Sequence, residues 1–400
     1  MKITGIEVLT LYYEYPPEHA IRCAEGTAGS RTTSLVSVRV DDELVGVGSA
    51  YSHPDLVKLI VEDHLAPFLI GSDPAEVEAL WERMYSLTRW YGRKGAAISA
   101  LGAIDVALWD LRGKVAGKPV YELLGGTTPE AEAYASGLLW QEDIDPLVAE
   151  ARAHLDAGFR LMKMRLGAGV SYDRLAVEAV LDAIDGRGRL AVDGTHRYSP
   201  EAAVSLGRFL AEHDVAWFEE PFPPEDIDAY ARLRSQVDVP LAAGENEFGV
   251  QGFRELFRAG AIDVAQPDVS RAGGITECLR VARLAAEAGI EIATHTWSDA
   301  VAVTANAHLV AAISNGSAVE IDRTGTPLMD ELLVEPLAFV DGRIQLSERA
   351  GLGLELDLDV VSRLALPHGR RIPPGNYSDL VFGGEPYDSV PPYAAQQYGQ

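Results

Sequence analysis

Hydrophobic and polar positions follow two different periods in the first part of the chain. Residues 1–50 alternate with period two in KITGIEVLTLYY, SLVSVRV and ELVGVGSA, which predicts strands. Residues 55–117 place apolar side chains three and four positions apart, as in EVEALWERMYSL, which predicts helices. Strands followed by helices in separate blocks are typical of an α+β domain, and we assign residues 1–127 to it.

From residue 131 the pattern changes to short apolar strands that alternate with amphipathic helices. The helix SPEAAVSLGRFLAEHD, for example, opens with Ser199 as N-cap and Pro200 at its first position. Eight strands with seven helices between them predict a parallel sheet closed as a barrel over residues 128–345, although an open doubly wound sheet also fits. The predicted strands are AEAYASG, FRLMKMRLG, RLAVDG, AWFEEP, PLAAGEN, DVAQPDV, EIATHT and SAVEID.

The end of the chain returns to strand-like segments after Asp341. GRIQL and GLGLELD are too short to form a domain, and we expect them to complete the N-terminal one. We assign residues 346–400 to this C-terminal segment. Its last part, residues 367–400, is rich in proline and tyrosine, which predicts an extended tail laid on its own surface or on a neighbouring subunit.

Composition excludes several classes of protein. The chain has 34 Lys+Arg against 60 Asp+Glu, a formal charge of −26, which disfavours nucleic acid and anionic membranes as partners. Two cysteines, Cys23 and Cys278, form no disulfide framework, and MKITGIEVLT lacks the pattern of a signal peptide. The uncharged run 300–319 contains Thr304 and Asn306, which favours a buried helix over a membrane span. We expect a soluble, cytoplasmic protein.

Ionisable residues interrupt the predicted barrel strands where each strand ends. From Lys163 onward their spacings are 30, 26, 26, 23, 27 and 25 residues, close to one strand–helix unit each. Barrel enzymes carry function at this edge, and crowded carboxylates are too costly to serve structure alone. The residues predicted to form the site are Lys163, Arg165, Asp193, Glu219, Glu245, Asp268, His295 and Glu320.

Three of these carboxylates lie on successive strands, with no histidine or cysteine ligand pattern around them. Asp193, Glu219 and Glu245 would offer hard oxygen ligands, which suit Mg²⁺ better than zinc. For any one of them alone, a salt bridge with Lys163 or Arg165 is the structural alternative.

A carboxylate and a histidine end neighbouring strands. Asp268 beside His295 would fix the imidazole tautomer and make it a general base near neutral pH. The adjacent Glu219 and Glu220 suggest a glycosidase, but the expected second acid further round the barrel is His295. The chain has no glycine-rich nucleotide motif at a strand–helix turn, which argues against a nucleotide cofactor.

Several segments resemble the enolase superfamily, mandelate racemase-like subgroup, in order and spacing over nearly the whole chain. The resemblance implies an α/β protein, a modified TIM barrel (β/α)7β with an α+β capping domain. It also implies one Mg²⁺ that stabilises an enediolate formed by removing the proton alpha to a carboxylate. The segments are AIDVALWDLRGKVAGKPVYELLGG, the Lys163-Met164-Arg165 strand, VDGTH, WFEEP, AGEN, QPDVSRAGG, THTW and VEIDR.

The resemblance also implies a role for each residue that matches a family motif. His295 with Asp268 matches the catalytic dyad. Glu320 matches an acid that hydrogen-bonds the substrate carboxylate as charge develops on it. Lys163 matches the first lysine of a K-x-K motif, which contacts that carboxylate and the metal site. The implied metal ligands are Asp193, Glu219 and Glu245.

Two departures from the family pattern change the expected chemistry. The second lysine of K-x-K is Arg165, and a guanidinium stays protonated, so it can stabilise an anion but not accept a proton. This disfavours racemisation and favours His295 as the principal base. The second departure is Thr195, where many relatives have asparagine. His196 would then contact the substrate or a metal-bound water, or pack against Tyr198.

Within the subgroup, VDGTHRY, HTWSDAV and EIDRTGTPLMDELLVEPL look most like sugar-acid lactone cycloisomerases, with anhydro-sugar-acid cycloisomerases nearby. The hypothesis is an Mg²⁺-dependent lyase or cycloisomerase that removes the alpha proton of a sugar acid or lactone and expels a beta oxygen. Alternatives are a dehydratase of a linear sugar acid and a non-catalytic sugar-acid-binding protein. We expect a homo-oligomer, a dimer or an octamer. Candidate substrate contacts besides Arg165 and His196 are Arg22, Arg31, Tyr51 and His53 from the capping loops, and Trp297 and Arg323 from the barrel.

Overall fold

The computed structural model describes residues 1–23, 26–41, 44–367, 369–370 and 372. Within these residues no helix combines the length and the apolar composition needed to cross a bilayer. The predicted tail, residues 367–400, lies almost entirely outside the described residues.

The N-terminal part forms an antiparallel sheet flanked by helices. The sheet has the order β1 (Ile3–Glu14), β4 (Ser30–Val40), β5 (Val45–Ala50), and a short hairpin joins β2 (Ile21–Cys23) to β3 (Gly26–Ala28). The apolar face of the sheet packs on the long helix α4, as the separate blocks of strands and helices predict. The helices are α1 (Pro54–Lys58), α2 (Ala66–Leu69), α3 (Val77–Thr88), α4 (Ala96–Ala116) and α5 (Val120–Leu123), with a 3₁₀ turn at Pro17–His19 and a π-helical segment at Leu59–Leu65.

Eight parallel strands close into a barrel, because the last strand pairs with the first. This excludes the open doubly wound sheet and confirms the predicted fold class. The strands are β6 (Glu130–Gly137), β7 (Leu161–Arg165), β8 (Arg189–Asp193), β9 (Phe218–Glu219), β10 (Leu241–Ala243), β11 (Val264–Ala265), β12 (Glu291–Thr294) and β13 (Gly316–Asp322). The helices between them are α6 (Asp145–Asp156), α7 (Val170–Ile184), α8 (Pro200–Glu212), α9 (Ile227–Arg234), α10 (Gly249–Ala259), α11 (Gly274–Glu287) and α12 (Ala300–Val310).

The interior of the barrel is a packed core and not a channel. Each strand, or for β9 the residue just before it, contributes one buried side chain to the interior. Tyr134 and Trp217 meet there edge to face, with ring centroids 5.3 Å apart. Packing of this kind makes the strand ends rigid supports for a site. The residues that fill the interior are Tyr134, Leu161, Ala191, Trp217, Ala242, Val264, Ala293 and Ala318.

The C-terminal segments correct one prediction. GRIQL contains β15 (Arg343–Gln345), which pairs with β14 (Ala338–Val340) and with β6 of the barrel, and not with the N-terminal sheet. GLGLELD forms isolated bridges instead of a strand, since Gly351 and Gly353 have φ of +79° and +67°. One of these bridges joins Gly351 to Pro119 of the N-terminal domain, as the sequence predicts. After α13 (Pro327–Asp330) and this segment, α14 (Leu358–Leu364) does reach the N-terminal sheet, through contacts with β1.

A seam of buried polar contacts joins the capping domain to the barrel. Asp299 is the N-cap of α12; its Oδ1 accepts hydrogen bonds from the amides of Val301 and Ala302, and its Oδ2 from the hydroxyls of Thr33 and Ser49. These hydroxyls belong to β4 and β5, so one carboxylate serves both domains.

A second acid of the seam reaches in the opposite direction, from the capping domain to the barrel. Asp105 of α4 accepts hydrogen bonds from the amide and the hydroxyl of Thr276 in α11, at 2.9 and 2.6 Å. The donors at this contact are neutral, so burial raises the pKa of Asp105 to about 7.

His308 ties the C-terminal segment to the same seam. Its Nδ1 accepts the amide of Tyr121 at 3.0 Å, and its Nε2 donates to the carbonyl of Leu352 at 3.1 Å. Burial lowers the pKa of His308 to about 4, so the imidazole is neutral at physiological pH.

Candidate functional site

The carboxyl ends of the barrel strands bring the predicted charged residues to one mouth. Parallel register sets Arg165 beside Asp193 and Asp193 beside Glu219 on adjacent strands. Since side chains alternate along a strand, residues in register on neighbouring strands point to the same side. Glu245, Asp268 and His295 follow β10, β11 and β12, and Glu320 lies near the end of β13.

Lys163 lies at the centre of the cluster, with its side chain 1% exposed. Its Nζ is 2.5 Å from Glu219 Oε1, 2.9 Å from Glu320 Oε1 and 3.7 Å from Asp193 Oδ2. Burial lowers the pKa of Lys163, but the carboxylates of Glu219 and Glu320 outweigh burial and hold that pKa well above its ordinary value. The ammonium group therefore stays charged although it is buried.

Asp193, Glu219 and Glu245 converge as a possible metal centre. Each offers a carboxylate oxygen, and these three oxygens lie within 4.8 Å of one another. Burial and the neighbouring carboxylates raise the pKa of Glu219 to about 8 despite Lys163. Asp193 Oδ2 is buried and, among the described residues, lacks a hydrogen bond of good geometry. An all-oxygen donor set with surplus negative charge fits Mg²⁺.

His295 and Asp268 form a buried pair beside this centre. His295 Nδ1 lies 2.9 Å from Asp268 Oδ2, while Asp268 Oδ1 accepts the amide and hydroxyl of Ser270, both at 2.7 Å. His295 Nε2 faces Glu245 Oε2 at 3.4 Å and Glu320 at 3.8 Å. Burial lowers the pKa of His295, but Glu245, Glu320 and Asp268 together raise it to about 9.

The surroundings of Glu320 favour a different protonation state from the one that the resemblance implies. Its Oε2 accepts the amide of Thr296 at 2.9 Å, and Oε1 faces Lys163. Although burial raises the pKa of Glu320, Lys163 and His295 lower it to about 2. These contacts favour the carboxylate, which accepts hydrogen bonds, over the protonated acid that a donor to substrate would need.

Arg165 is one layer of a stack of planar groups. Its Nη1 is 3.3 Å from Asp193 Oδ2, and its guanidinium carbon lies 5.2 Å from the ring centroid of the buried Trp297. Arg31 of β4 also stacks on this indole, at 4.8 Å, and pairs with Asp322. Arg31 is fully buried and bound to the barrel, so it braces the mouth and does not project from a loop as a free cation.

His196 pairs with Glu220 and not with Tyr198. His196 Nε2 is in short contact with Glu220 Oε2, which also accepts Asn246 Nδ2 at 2.8 Å. The hydroxyl of Tyr198 donates to Asp173 instead. Burial lowers the pKa of His196, but Glu220 raises it to about 9. The φ angles of His196 and Glu220, +61° and +31°, place both in the left-handed region, the kind of strain that concentrates at functional sites.

Tyr51 is the capping-domain residue that covers the base. Its ring stacks on His295 with centroids 6.1 Å apart and 23° between planes. It also lies over Arg271, whose guanidinium carbon is 5.2 Å from the Tyr51 centroid. Arg271 and Gln266, whose Nε2 donates to Glu219 Oε2 at 2.6 Å, are site residues that the sequence argument missed. Both residues belong to QPDVSRAGG, and their place in this family motif is the sequence feature that could have pointed to a role at the site.

Three other predicted substrate contacts lie on exposed parts of the molecule. Arg22 is exposed on β2, and His53 is exposed just before α1. Arg323 is also exposed, and its guanidinium carbon lies 5.6 Å from the Phe159 ring, outside the cluster at the mouth. The hairpin that carries Arg22 packs against Leu139, just beyond the end of β6, so this capping loop does border the mouth.

Comparison with known proteins gives close relatives over most of the chain. The D-galactarolactone cycloisomerase of Agrobacterium fabrum is 34% identical over 382 residues, covering 92% of this chain and 100% of that protein. The arabinonate dehydratase of Saccharolobus solfataricus is 32% identical, covering 79% of this chain and 86% of that protein. A crystal structure of a racemase from Streptomyces coelicolor with bound magnesium is 28% identical, with a TM-score of 0.84, and covers 91% of this chain and 100% of that one.

Two family models match consecutive parts of the chain. Residues 6–125 match the mandelate racemase / muconate lactonizing enzyme N-terminal domain, and residues 146–360 match the enolase C-terminal domain-like model. The resemblance drawn from the sequence motifs is thereby confirmed. The chain belongs to the mandelate racemase / muconate lactonizing enzyme family of the enolase superfamily.

Proposed function

We propose that this protein is an Mg²⁺-dependent cycloisomerase that opens the ring of a sugar-acid lactone or anhydro sugar acid. The observation that carries the proposal is the His295–Asp268 pair, whose free ring nitrogen faces Glu245 and Glu320 beside a three-carboxylate centre. A base, a cation site and a buried lysine at one mouth are what abstraction of a proton alpha to a carboxylate requires.

The cation would be held by Asp193, Glu219 and Glu245. Bound there, Mg²⁺ would offset the negative charge of the cluster and stabilise an enediolate electrostatically. The magnesium-containing racemase structure and the surplus of buried carboxylate support this assignment.

His295 is the proposed base. With Nδ1–H donating to Asp268, Nε2 is the nitrogen that would take the alpha proton. Mg²⁺ bound at Glu245 would offset part of the negative charge that raises the pKa of His295 and would so favour the neutral imidazole. Asp268 stabilises the imidazolium that forms, and Ser270 holds Asp268 in place with two hydrogen bonds. Asp268 therefore sets the tautomer of the neutral imidazole, with the proton on Nδ1.

Lys163 and Glu320 are proposed to complete the electrostatic setting. Lys163 supplies a positive charge beside the carboxylate of the substrate, which gains negative charge as the alpha proton is removed. Glu320 keeps that lysine oriented, through the 2.9 Å contact to Nζ, while the amide of Thr296 fixes Glu320 in turn.

Arg165 makes the proposed chemistry a one-base reaction. The alpha C–H electrons form the enediolate, whose collapse breaks the beta C–O bond and sends that electron pair to the departing ring oxygen. Arg165 can stabilise this oxyanion but cannot return or remove a proton, which favours elimination over racemisation. Protonation of the oxygen and tautomerisation of the enol leave a product of the same mass as the substrate.

A dehydratase of a linear sugar acid is the second candidate, and the likeness to the arabinonate dehydratase favours it. It uses the same base and enediolate, but the departing oxygen leaves as water. One experiment separates the two reactions. The enzyme, with Mg²⁺, is incubated in D₂O with a panel of aldonic and aldaric acids and their lactones, and the products are followed by NMR and mass spectrometry.

For a cycloisomerase we expect a lactone or anhydro acid to give an acyclic keto acid with no water lost. Loss of one water from a linear acid would replace this with the dehydratase. No turnover and no deuterium exchange with any acid would contradict both and leave a non-catalytic binding protein.

We further propose that the protein is cytoplasmic and works as a homo-oligomer. Cys278 is buried as a free thiol, which suits a reducing compartment. Trp90 is 91% exposed, next to the exposed Tyr91, and such apolar surface is common at subunit interfaces. Light scattering coupled to size exclusion would measure the oligomer; a monomer at all concentrations would contradict this.

A further inference from the structure

The three proposed metal ligands are held unequally. Asp193 Oδ1 accepts the amide of Thr195 at 2.9 Å, and Glu219 Oε2 accepts the indole of Trp217 at 3.0 Å and the amide of Gln266. Their side chains are 3% and 0% exposed.

The third ligand, Glu245, is the least constrained of the three. Its side chain is 20% exposed, and its carboxylate contacts Asn246 Nδ2 at 3.3 Å and His295 at 3.4 Å. It follows β10, just beyond Gly244, whose φ is +138°. A ligand on a turn with so few contacts needs support from its surroundings to keep its orientation.

Arg271 supplies such support from the next loop of the barrel. Its Nε donates to the backbone carbonyl of Glu245 at 2.8 Å, and its Nη2 donates to Asn246 Oδ1 at 3.1 Å. With Oδ1 so engaged, the amide group of Asn246 is turned to Glu245 and to Glu220. One guanidinium thus fixes both the backbone and the side-chain neighbour of the third ligand.

Aromatic rings hold this guanidinium in turn. The ring centroids of Tyr51 and Phe248 lie 5.2 and 5.5 Å from the guanidinium carbon. Tyr51 follows β5 of the capping domain, and its amide donates to the carbonyl of Ser270 at 3.1 Å. A capping-domain residue therefore contacts the arginine that supports Glu245.

We propose that Arg271 is a positioning residue for the metal site, and that through Tyr51 it makes the affinity for the divalent cation depend on the capping domain. The inference rests on the proposed Mg²⁺ site. Groups that orient metal ligands typically change metal affinity about 10- to 100-fold when removed. A lysine at this position would keep the positive charge but lose the planar pair of donors that reaches both the carbonyl and the amide.

The test is metal binding without substrate, by calorimetry with Mg²⁺ and by electron paramagnetic resonance with Mn²⁺. We expect Arg271→Lys to raise the Kd for Mg²⁺ about tenfold or more, with an unchanged melting temperature of the metal-free protein. Tyr51→Ala should raise the Kd in the same direction by a smaller factor. The matched control is Arg280→Lys, since Arg280 also stacks on an aromatic ring, that of Trp81, but pairs with Glu277 away from the mouth.

The outcomes separate this inference from the proposed function. If the wild type and Asp193→Asn bind Mg²⁺ equally weakly, the metal site itself is wrong. If the wild type binds Mg²⁺ and Arg271→Lys binds it as tightly, charge alone suffices and the positioning role is overturned. If Arg271→Lys does not fold, Asn246→Ala replaces it, and an unchanged Kd there overturns the route through Asn246. A wild-type Kd in Tyr51→Ala overturns the dependence on the capping domain.

Discussion

Buried acids occur in two regions of this molecule, and their surroundings differ. At the seam between the domains, Asp299 and Asp105 accept hydrogen bonds from hydroxyls and amides that are already part of the fold. At the barrel mouth, Asp193, Glu219 and Glu245 lie close together, and Lys163, the cation nearest to Glu219, is shared with Glu320, while Arg165 pairs with Asp193. Each oxygen of these two seam acids has a hydrogen-bond donor, whereas the mouth holds more negative charge than its own cations balance.

That difference separates groups that hold the structure from groups that act on something else. Buried acids whose oxygens all have donors fix the relation between two domains, even where burial raises the pKa, as it does for Asp105. Buried acids that repel one another reduce stability, and they persist where a bound cation or a reaction uses the charge. The contrast predicts that substitutions at the mouth impair function and substitutions at the seam impair stability.

The largest expected effect is on turnover, at the base. His295→Asn keeps a polar side chain of similar bulk but cannot accept the alpha proton, so we expect kcat to fall by about 10³-fold or more. Mg²⁺ affinity and the urea midpoint should stay near those of the wild type. Turnover within tenfold of the wild type would exclude His295 as the principal base.

At the metal centre, a substitution should weaken Mg²⁺ binding without lowering the stability of the metal-free protein. Asp193→Asn replaces a carboxylate ligand by a neutral amide oxygen, so the Kd for Mg²⁺ should rise by about 10²-fold. It also removes one of the repelling charges, so the metal-free protein should unfold at the same urea concentration as the wild type or a higher one. A clear loss of stability in the metal-free protein would mean that Asp193 stabilises the fold, as the seam acids do, and would contradict the contrast between the two regions.

The seam should give the reverse result. Asp299→Ala removes the cap of α12 and leaves Thr33 and Ser49 without their acceptor, so we expect a loss of about 3 kcal/mol in unfolding free energy. Urea denaturation measures this, with Ser317→Ala as the control, since Ser317 is half-buried in β13 and donates to the barrel carbonyl of Ile292. Folded enzyme that remains after the substitution should still bind Mg²⁺.

A further effect on stability appears only in acid and concerns His308. Its folded pKa of about 4 lies below the value of about 6.5 for an unfolded histidine, so protons bind the unfolded chain preferentially between these values. The contribution of neutral His308 to the stability of the wild type should therefore be fully present above about pH 6.5 and be lost as the pH falls toward about 4. Relative to His308→Gln, the decline should be on the order of 3 kcal/mol. Parallel urea curves for the two proteins across this range would show that His308 is not the group responsible.

Sequence reasoning identified the closed barrel and the charged strand ends because both follow from short-range periodicity. A residue at the end of a parallel strand has its direction set by the pleat, so Asp193 and Glu219 could be placed together from spacing alone. The candidate roles of these residues remain predictions until variants are measured.

Long side chains on loops were harder to place. The guanidinium of Arg323 lies on Phe159 and that of Arg271 on Tyr51, and in each case neighbours distant in the chain decide the direction. GLGLELD shows the same limit for backbone, since its alternation predicts a strand but its glycines turn the chain. The sequence shows that Arg271 belongs to the motif QPDVSRAGG, but it does not show that its side chain contacts Glu245 and Asn246.

The division of labour within Asp299 has a consequence for protein engineering. One of its oxygens completes a helix of the barrel, while the other accepts the hydroxyls of Thr33 and Ser49 from the capping sheet as well as that of Ser298 from the barrel. In a barrel expressed alone, this oxygen would lose its two donors from the capping sheet and keep the hydroxyl of Ser298, and a chimera with a foreign cap would inherit the same defect. Successful domain exchange should require hydroxyl side chains to be transplanted at the positions of Thr33 and Ser49.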